Sequence, residues 1–213
     1  ILSEDHRLPM VAVNIWYHVG PAYEEPGRTG FAHLFEHMMF QGSKHVPGDS
    51  HFRLLEGAGG SSINGTTGYD RTNYFETLPS NQLELGLWLE SDRMGYLLDK
   101  VDRKQLANQQ DVVRNERRQR YDNVPFGKER FATNAALFPE GHPYRYLTIG
   151  RHEDIEHASV DDARGGPVDI PAVAHPTDVL RVVPSRSTLT SSSSVGASRL
   201  DKSKSPLSTL SCP

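Results

Sequence analysis

The sequence predicts a chain that mixes β-strands and α-helices, and three observations predict it. Residues 9–19 are rich in β-formers, with Val11, Val13 and Ile15 alternating against Ala12, Asn14 and Trp16, the period of a strand with a buried face. Residues 63–77 set Thr66, Thr67, Tyr69, Thr72, Tyr74 and Phe75 around Gly68 and Asp70, the composition of a hairpin or two short strands. Behind Pro79-Ser80-Asn81, Leu83, Leu87, Met94 and Leu97 recur at helical spacing, with Trp88 beside them.

The other elements follow in order. Ile1-Leu2-Ser3 reads as the end of a strand whose start lies further forward. Gly20-Pro21 ends the first full strand, and residues 24–30 form a polar loop. Gly27 and Gly30 bracket the entry to an apolar helix over residues 31–40, which Gly42 closes. A short helix is expected over residues 50–56, capped by Asp49 or Ser50. The glycine-rich stretch 57–62 lacks the Gly-Lys-Ser/Thr of a phosphate loop and reads as a flexible turn. Further helices are expected over residues 102–121, with Leu106, Val112 and Val113 inward, and 126–138, through Phe131, Ala135, Ala136 and Leu137. Ser159-Val160-Asp161-Asp162 has the form of a capping box, with Asp in place of Glu.

Composition bounds the rest. The chain has 213 residues, 36% hydrophobic, and a formal net charge of −4. From about Ala163 the character changes. Gly165-Gly166-Pro167, Pro171, Pro176 and Pro184 break any element, and serine dominates after Ser185. Residues 1–162 therefore read as the globular domain. Residues 163–213 read as a Pro/Ser-rich tail, disordered or the product of a frame-shift, with no share of the fold beyond about residue 165. The acidic balance offers no basic field, so no nucleic-acid partner is expected. No apolar run approaches the roughly 18 residues of a membrane span. Cys212 is the single cysteine, which excludes an intrachain disulfide and a Cys-based zinc site. The chain begins at Ile1, shows no signal peptide and reads as cut at the front. Its compartment is not legible, and a periplasmic or secreted location is an open expectation.

The chemistry concentrates in Phe31-Ala32-His33-Leu34-Phe35-Glu36-His37-Met38-Met39-Phe40. On a helix, His33 and His37 lie one turn apart on one face, so both imidazoles can aim at one point. Zn²⁺ is the commonest occupant of such a point. Glu36 sits where a general base acting on a metal-bound water would be. The helix is apolar on nearly every side, so these polar groups need partners. Two core histidines with ordinary hydrogen bonds are the bland alternative; the H-x-x-E-H order favours a metal. A catalytic zinc usually has three protein ligands. Glu116, one turn beyond Val112 on the inward face of its helix, fits best; a surface salt bridge with its arginine neighbours is the alternative. His18, His45, His51, His142, His152 and His157 have no motif spacing and are expected to be surface or structural.

The order H-x-x-E-H at 33–37, then INGTTGYDRTNYFETLP, a long helix and VVRNERRQ resembles the M16 metallopeptidases (pitrilysin-like, or inverzincins), most of all their bacterial processing-peptidase-type members. The resemblance covers residues 1 to about 162. It implies an α+β domain, an antiparallel sheet packed with helices, of which this chain is the N-terminal catalytic half. It implies zinc at His33, His37 and Glu116, with Glu36 as base, and a zinc-dependent endopeptidase acting on peptides or unfolded polypeptides. The stretch 63–77 then supplies an edge strand that pairs with the substrate backbone, with Asn64 and Thr66 near it. Where many relatives carry a supporting glutamate two turns before the third ligand, this chain has Gln109. Nothing here matches the family's C-terminal half-domain, so that half, or a partner subunit, is expected to complete the enzyme. Other readings are an inactive fragment, a non-catalytic M16-like scaffold subunit, or a hydrolase of the S-ribosylhomocysteine lyase kind. The last needs a cysteine ligand, which Cys212 is badly placed to supply.

Overall fold

A computed structural model of the chain describes residues 3, 5, 7–165 and 210–211. Its centre is an antiparallel sheet in the order β1-β3-β2-β4. Strand β1 (Met10–Tyr17) pairs along its whole length with β3 (Thr72–Pro79), from Met10 opposite Pro79 to Tyr17 opposite Thr72. Strand β2 (Ser61–Thr67) pairs with the other side of β3, with a register irregularity between Ser61 and Asn64. The turn between them closes through Gly68 N–H to the Arg71 carbonyl at 2.7 Å. The chain is thus α+β, an antiparallel sheet with helices packed on it.

The period of two predicted for β1 is the one observed. Val11, Val13, Ile15 and Tyr17 are buried, and Trp16 is exposed. Helices α1 (Phe31–Met38), α2 (Ser50–Gly57) and α3 (Leu83–Tyr96) contact the strands, and α4 (Arg103–Arg117) contacts α1 from beyond. Asp102 caps α4 in a reciprocal capping box with Gln105, fixing that helix's start. After Arg117 a π-helical turn, Arg118–Asp122, takes the place of the α-helix expected to continue to residue 121. The helices α5 (Glu129–Leu137), α6 (His152–His157) and α7 (Val160–Gly165) complete the order.

Several expectations are corrected. Helix α3 begins at Leu83, after a 3-10 turn at Ser80–Gln82, and although Leu83 and Leu87 pack against the core and Leu97 beyond its end is buried as predicted, its inward face also carries charge. Leu89, Glu90, Asp92 and Arg93 are buried, whereas Met94 and Trp88 are exposed. Charged side chains go inward because each has a partner: Arg93 pairs with Glu90, and Asp92 accepts from Ser43 and contacts the His45 ring. On α4, Leu106 and Val113 are inward but Val112 is exposed, so Glu116 shares its face with Val113 and Gln109. Helix α5 has no buried residue. The sequence's flexible 57–62 stretch ends in β2, which starts at Ser61.

At the far end, Ser159 and Asp162 form the predicted cap, with reciprocal bonds of 2.9 and 3.1 Å. Most of the tail and the segment at Ile1-Leu2 lie outside the described residues. The exception is a two-residue strand, β4 (Leu210–Ser211), which pairs with Thr67 and Thr66 on the outer edge of β2.

Helix α1 is reached through Gly30, at φ +87, a left-handed conformation that costs an L-residue about 1–2 kcal/mol. A Cβ there would also lie 2.8 Å from Ile155 Cδ1 and 2.9 Å from the Gly150 Cα. Gly30→Ala should therefore cost at least about 2 kcal/mol, read as a fall in Tm or in the denaturant midpoint.

Candidate metal centre

Every residue of α1 is buried. A helix this deep needs its first N–H groups satisfied, and Glu24 does so from the preceding loop. Its two carboxylate oxygens accept from Gly30 N–H and Ala32 N–H, each at 2.8 Å. Thr29 is anchored in turn by Asp154, which accepts from its N–H at 3.1 Å and its hydroxyl at 2.6 Å. The entry to the motif is thus fixed from both sides.

The one-turn spacing of His33 and His37 brings their rings edge to face, with centroids 4.8 Å apart. Glu116 arrives from α4. Its Oε2 lies 3.6 Å from His33 Nε2 and 3.3 Å from His37 Nε2. One ligand atom from each of the three residues lies within 4.8 Å of the others, and all three residues are buried. Arg120, a turn beyond Glu116, holds its other oxygen, Oε1, at 2.9 Å.

The electrostatics suit a metal. Burial holds the His33 ring down at about 4, against the pull of Glu116, so the imidazole is neutral and offers a lone pair at pH 7. Neither ring nitrogen of His33 has a hydrogen-bond partner among the described residues, although the side chain is fully buried. Orphaned buried nitrogens are rare in native proteins, and a bound cation would satisfy one of them. Burial pushes the Glu116 carboxyl up, but the hydrogen bond with His37 and the interactions with His33 and Arg120 outweigh it, leaving it below its usual range. It is a carboxylate, as a ligand must be.

Glu36, on the same helix, is completely buried. Thr67, on β2, donates its hydroxyl to Glu36 Oε2, and the positive charge of Arg71 is near enough to interact with the carboxylate. Gln109, two turns before Glu116 on the same face of α4, is buried. Asn64 and Thr66 lie on the opposite face of β2 from Gly65 and Thr67. The Thr66 hydroxyl donates to Asn73 Oδ1 at 2.5 Å and accepts from Arg71 at 2.6 Å. Asn64 Oδ1 accepts from the N–H of Gly65 at 2.9 Å.

Sequence reasoning missed Glu24, Thr67 and Arg120. A signal existed for Thr67, because strand alternation puts residues 65 and 67 on one face and a helix holding two histidines and a glutamate must be covered by something polar. For Glu24 there was none, since loop geometry decides what a loop carboxylate reaches.

A buried histidine that stays neutral binds its proton less tightly folded than unfolded. Its contribution to stability is whole above the ordinary value of about 6.5 and is lost as pH falls toward about 4. In metal-free protein the Tm should fall over that window, and less steeply in His33→Leu, as differential scanning calorimetry would show.

The chain is similar to a set of known proteins. The family description "Insulinase (Peptidase family M16)" matches residues 1–130. The zinc protease PqqE of Helicobacter pylori is 32% identical over 162 residues, covering 75% of this chain and 35% of that protein. The probable zinc protease PqqL of Escherichia coli is 40% identical over 82 residues, 36% of this chain and 9% of its own. The crystal structure of the first half of PqqL, a periplasmic protease, shares the fold at a TM-score of 0.69, with 22% identity over 83% of this chain and 37% of that one. A protease from Helicobacter pylori of known structure gives a TM-score of 0.74 and 28% identity, covering 82% of this chain and 41% of that one. The chain therefore spans about a third of the length of the first of these relatives. On the match of its domain and its fold together, the chain belongs to peptidase family M16.

Proposed function

We propose that this chain is the N-terminal, catalytic half of a zinc-dependent endopeptidase that hydrolyses peptides or unfolded polypeptides. The observation that carries this reading is the convergence of His33, His37 and Glu116, all buried, on one point. These three residues would hold the zinc. When bound, the ion supplies Lewis acidity, which makes water a stronger acid and polarises a peptide carbonyl. Glu36 is the general base: its carboxylate takes a proton from the attacking water and returns it to the leaving amine. Arg120 keeps Glu116 oriented and ionised, and Gln109, buried on the same face of α4, takes a supporting place.

The substrate would add as a strand to the outer edge of β2. In support, that edge accepts an antiparallel partner at Thr66 and Thr67, the backbone of Leu210–Ser211. The hydroxyl of Thr66 is engaged within the sheet, so Thr66 would contribute through its backbone, with Asn64 beside it. A second half-domain or a partner subunit would close the site from the other side. The likeness to PqqL, a periplasmic protease, favours a periplasmic or secreted location; no helix among the described residues is long and apolar enough to cross a membrane. A non-catalytic scaffold role is the other reading, and the presence of both histidines and both glutamates speaks against it.

Elemental analysis of the chelator-washed chain after zinc loading should give about one zinc per chain, lost in His33→Ala and sharply reduced in Glu116→Gln. Zinc absent from a chain shown to be folded would overturn the metal centre. Glu36→Gln should keep the zinc and lower peptide hydrolysis by at least about 100-fold, measured with an internally quenched peptide; full turnover in that variant would remove Glu36 from the role of base.

A further inference from the structure

Two residues on the inward face of β2 act on Glu36, and neither belongs to the metal centre. Thr67 is fully buried and its hydroxyl donates to Glu36 Oε2. Its oxygen is 3.4 Å from that of Thr72, also buried, whose hydroxyl donates to the Val19 carbonyl at 3.0 Å. Each hydroxyl has a single proton to give. That of Thr72 is committed to a backbone carbonyl fixed at the end of β1. That of Thr67 goes to the carboxylate, the stronger acceptor because it is charged. A carboxylate gripped at one oxygen has a fixed plane, which sets where its second oxygen points.

Gly65, two residues earlier and so on the same face, acts by absence. A Cβ there would lie 3.0 Å from Glu36 Cγ, 3.1 Å from Tyr74 Cδ1 and 3.2 Å from Phe40 Cε2. These distances are tight without being backbone collisions, so a methyl group would push the Glu36 side chain before it broke the sheet.

We propose that Gly65 and Thr67 are the positioning residues of Glu36: the glycine leaves the space its side chain lies in, and the threonine hydroxyl fixes the plane of its carboxylate. This rests on the reading of Glu36 as the general base. It adds a requirement of β2 that is separate from strand pairing with substrate, because residues 65 and 67 face the helix. A merely structural role, satisfying a buried acid, would not depend on where the carboxylate points.

The test uses the zinc-loaded full chain and the variants Thr67→Val, Thr67→Ser and Gly65→Ala. Crystal structures read the position of Glu36, elemental analysis the zinc, and a quenched peptide the split between kcat and KM. Zinc content should stay at the wild-type value in all three. The Glu36 carboxylate should move in Thr67→Val and in Gly65→Ala and stay in place in Thr67→Ser. The kcat should fall by up to about 100-fold in the first two, with KM little changed, and be largely restored in Thr67→Ser. A Glu36 carboxylate that superimposes on the wild type in Thr67→Val or Gly65→Ala would overturn the proposal. Either variant decides it if the other fails to fold. The position of Glu36 is read whether or not it is the base, so failure here is distinct from failure of the Glu36→Gln experiment.

Discussion

Helix α1 buries two imidazoles and a carboxylate in a place with almost no water, and the rest of the structure answers that demand. Burying such groups without partners costs a few kcal/mol each, about 1–3 on mutational scales. The partners come from elements far apart in sequence, Glu116 from α4 and Thr67 from β2, while Glu24 and Asp154 hold the backbone and Thr29 at the helix entrance. Each of these contacts requires the sheet and α4 to be where they are. Function and fold are therefore joined at one helix, and residues that could bind a metal are also among those that fix how the layers pack.

A second buried charge cluster stands behind the first. Arg93 is enclosed between the rings of Tyr74, at 4.3 Å, and Phe40, at 5.0 Å, and its guanidinium is paired with Glu90. Glu76 lies alongside on β3. Burial, and the repulsion of Glu90 beside it, push its carboxyl well up, so it is protonated at neutral pH. A neutral Glu76 has a hydrogen to offer the Glu90 carboxylate, and the cluster then carries one positive and one negative charge. The rings of Tyr74 and Phe40, stacked on Arg93, line the space beside Gly65 together with the Glu36 side chain. The internal ion pair is thus packed against two rings that line the space beside Gly65.

Much of this was legible in the sequence. The spacing of His33, Glu36 and His37, the alternation of β1, the hairpin and the family resemblance each follow from local pattern, and local pattern is what 3.6-residue and two-residue periods report. The inward placement of Glu116 was also legible, although through the wrong neighbour, since Val113 and not Val112 shares its face. Hydrophobicity misled on α3, where Met94 and Trp88 point outward while Glu90 and Arg93 are buried. Periodicity reads charge as surface and has no means to see that two opposite charges three residues apart will be buried together.

By itself, then, the sequence put two imidazoles and a carboxylate on one helix, with the imidazoles one turn apart. A helix repeats over four residues whatever surrounds it. The tertiary structure alone decided which distant groups complete them. That the Glu116 carboxylate reaches both imidazoles, that Gly65 leaves room for Glu36 and that Thr67 and not Thr66 meets it all depend on how α4 and β2 dock against α1. Docking is set by the summed packing of a core whose contacts are separated by tens of residues, and no local period encodes that sum.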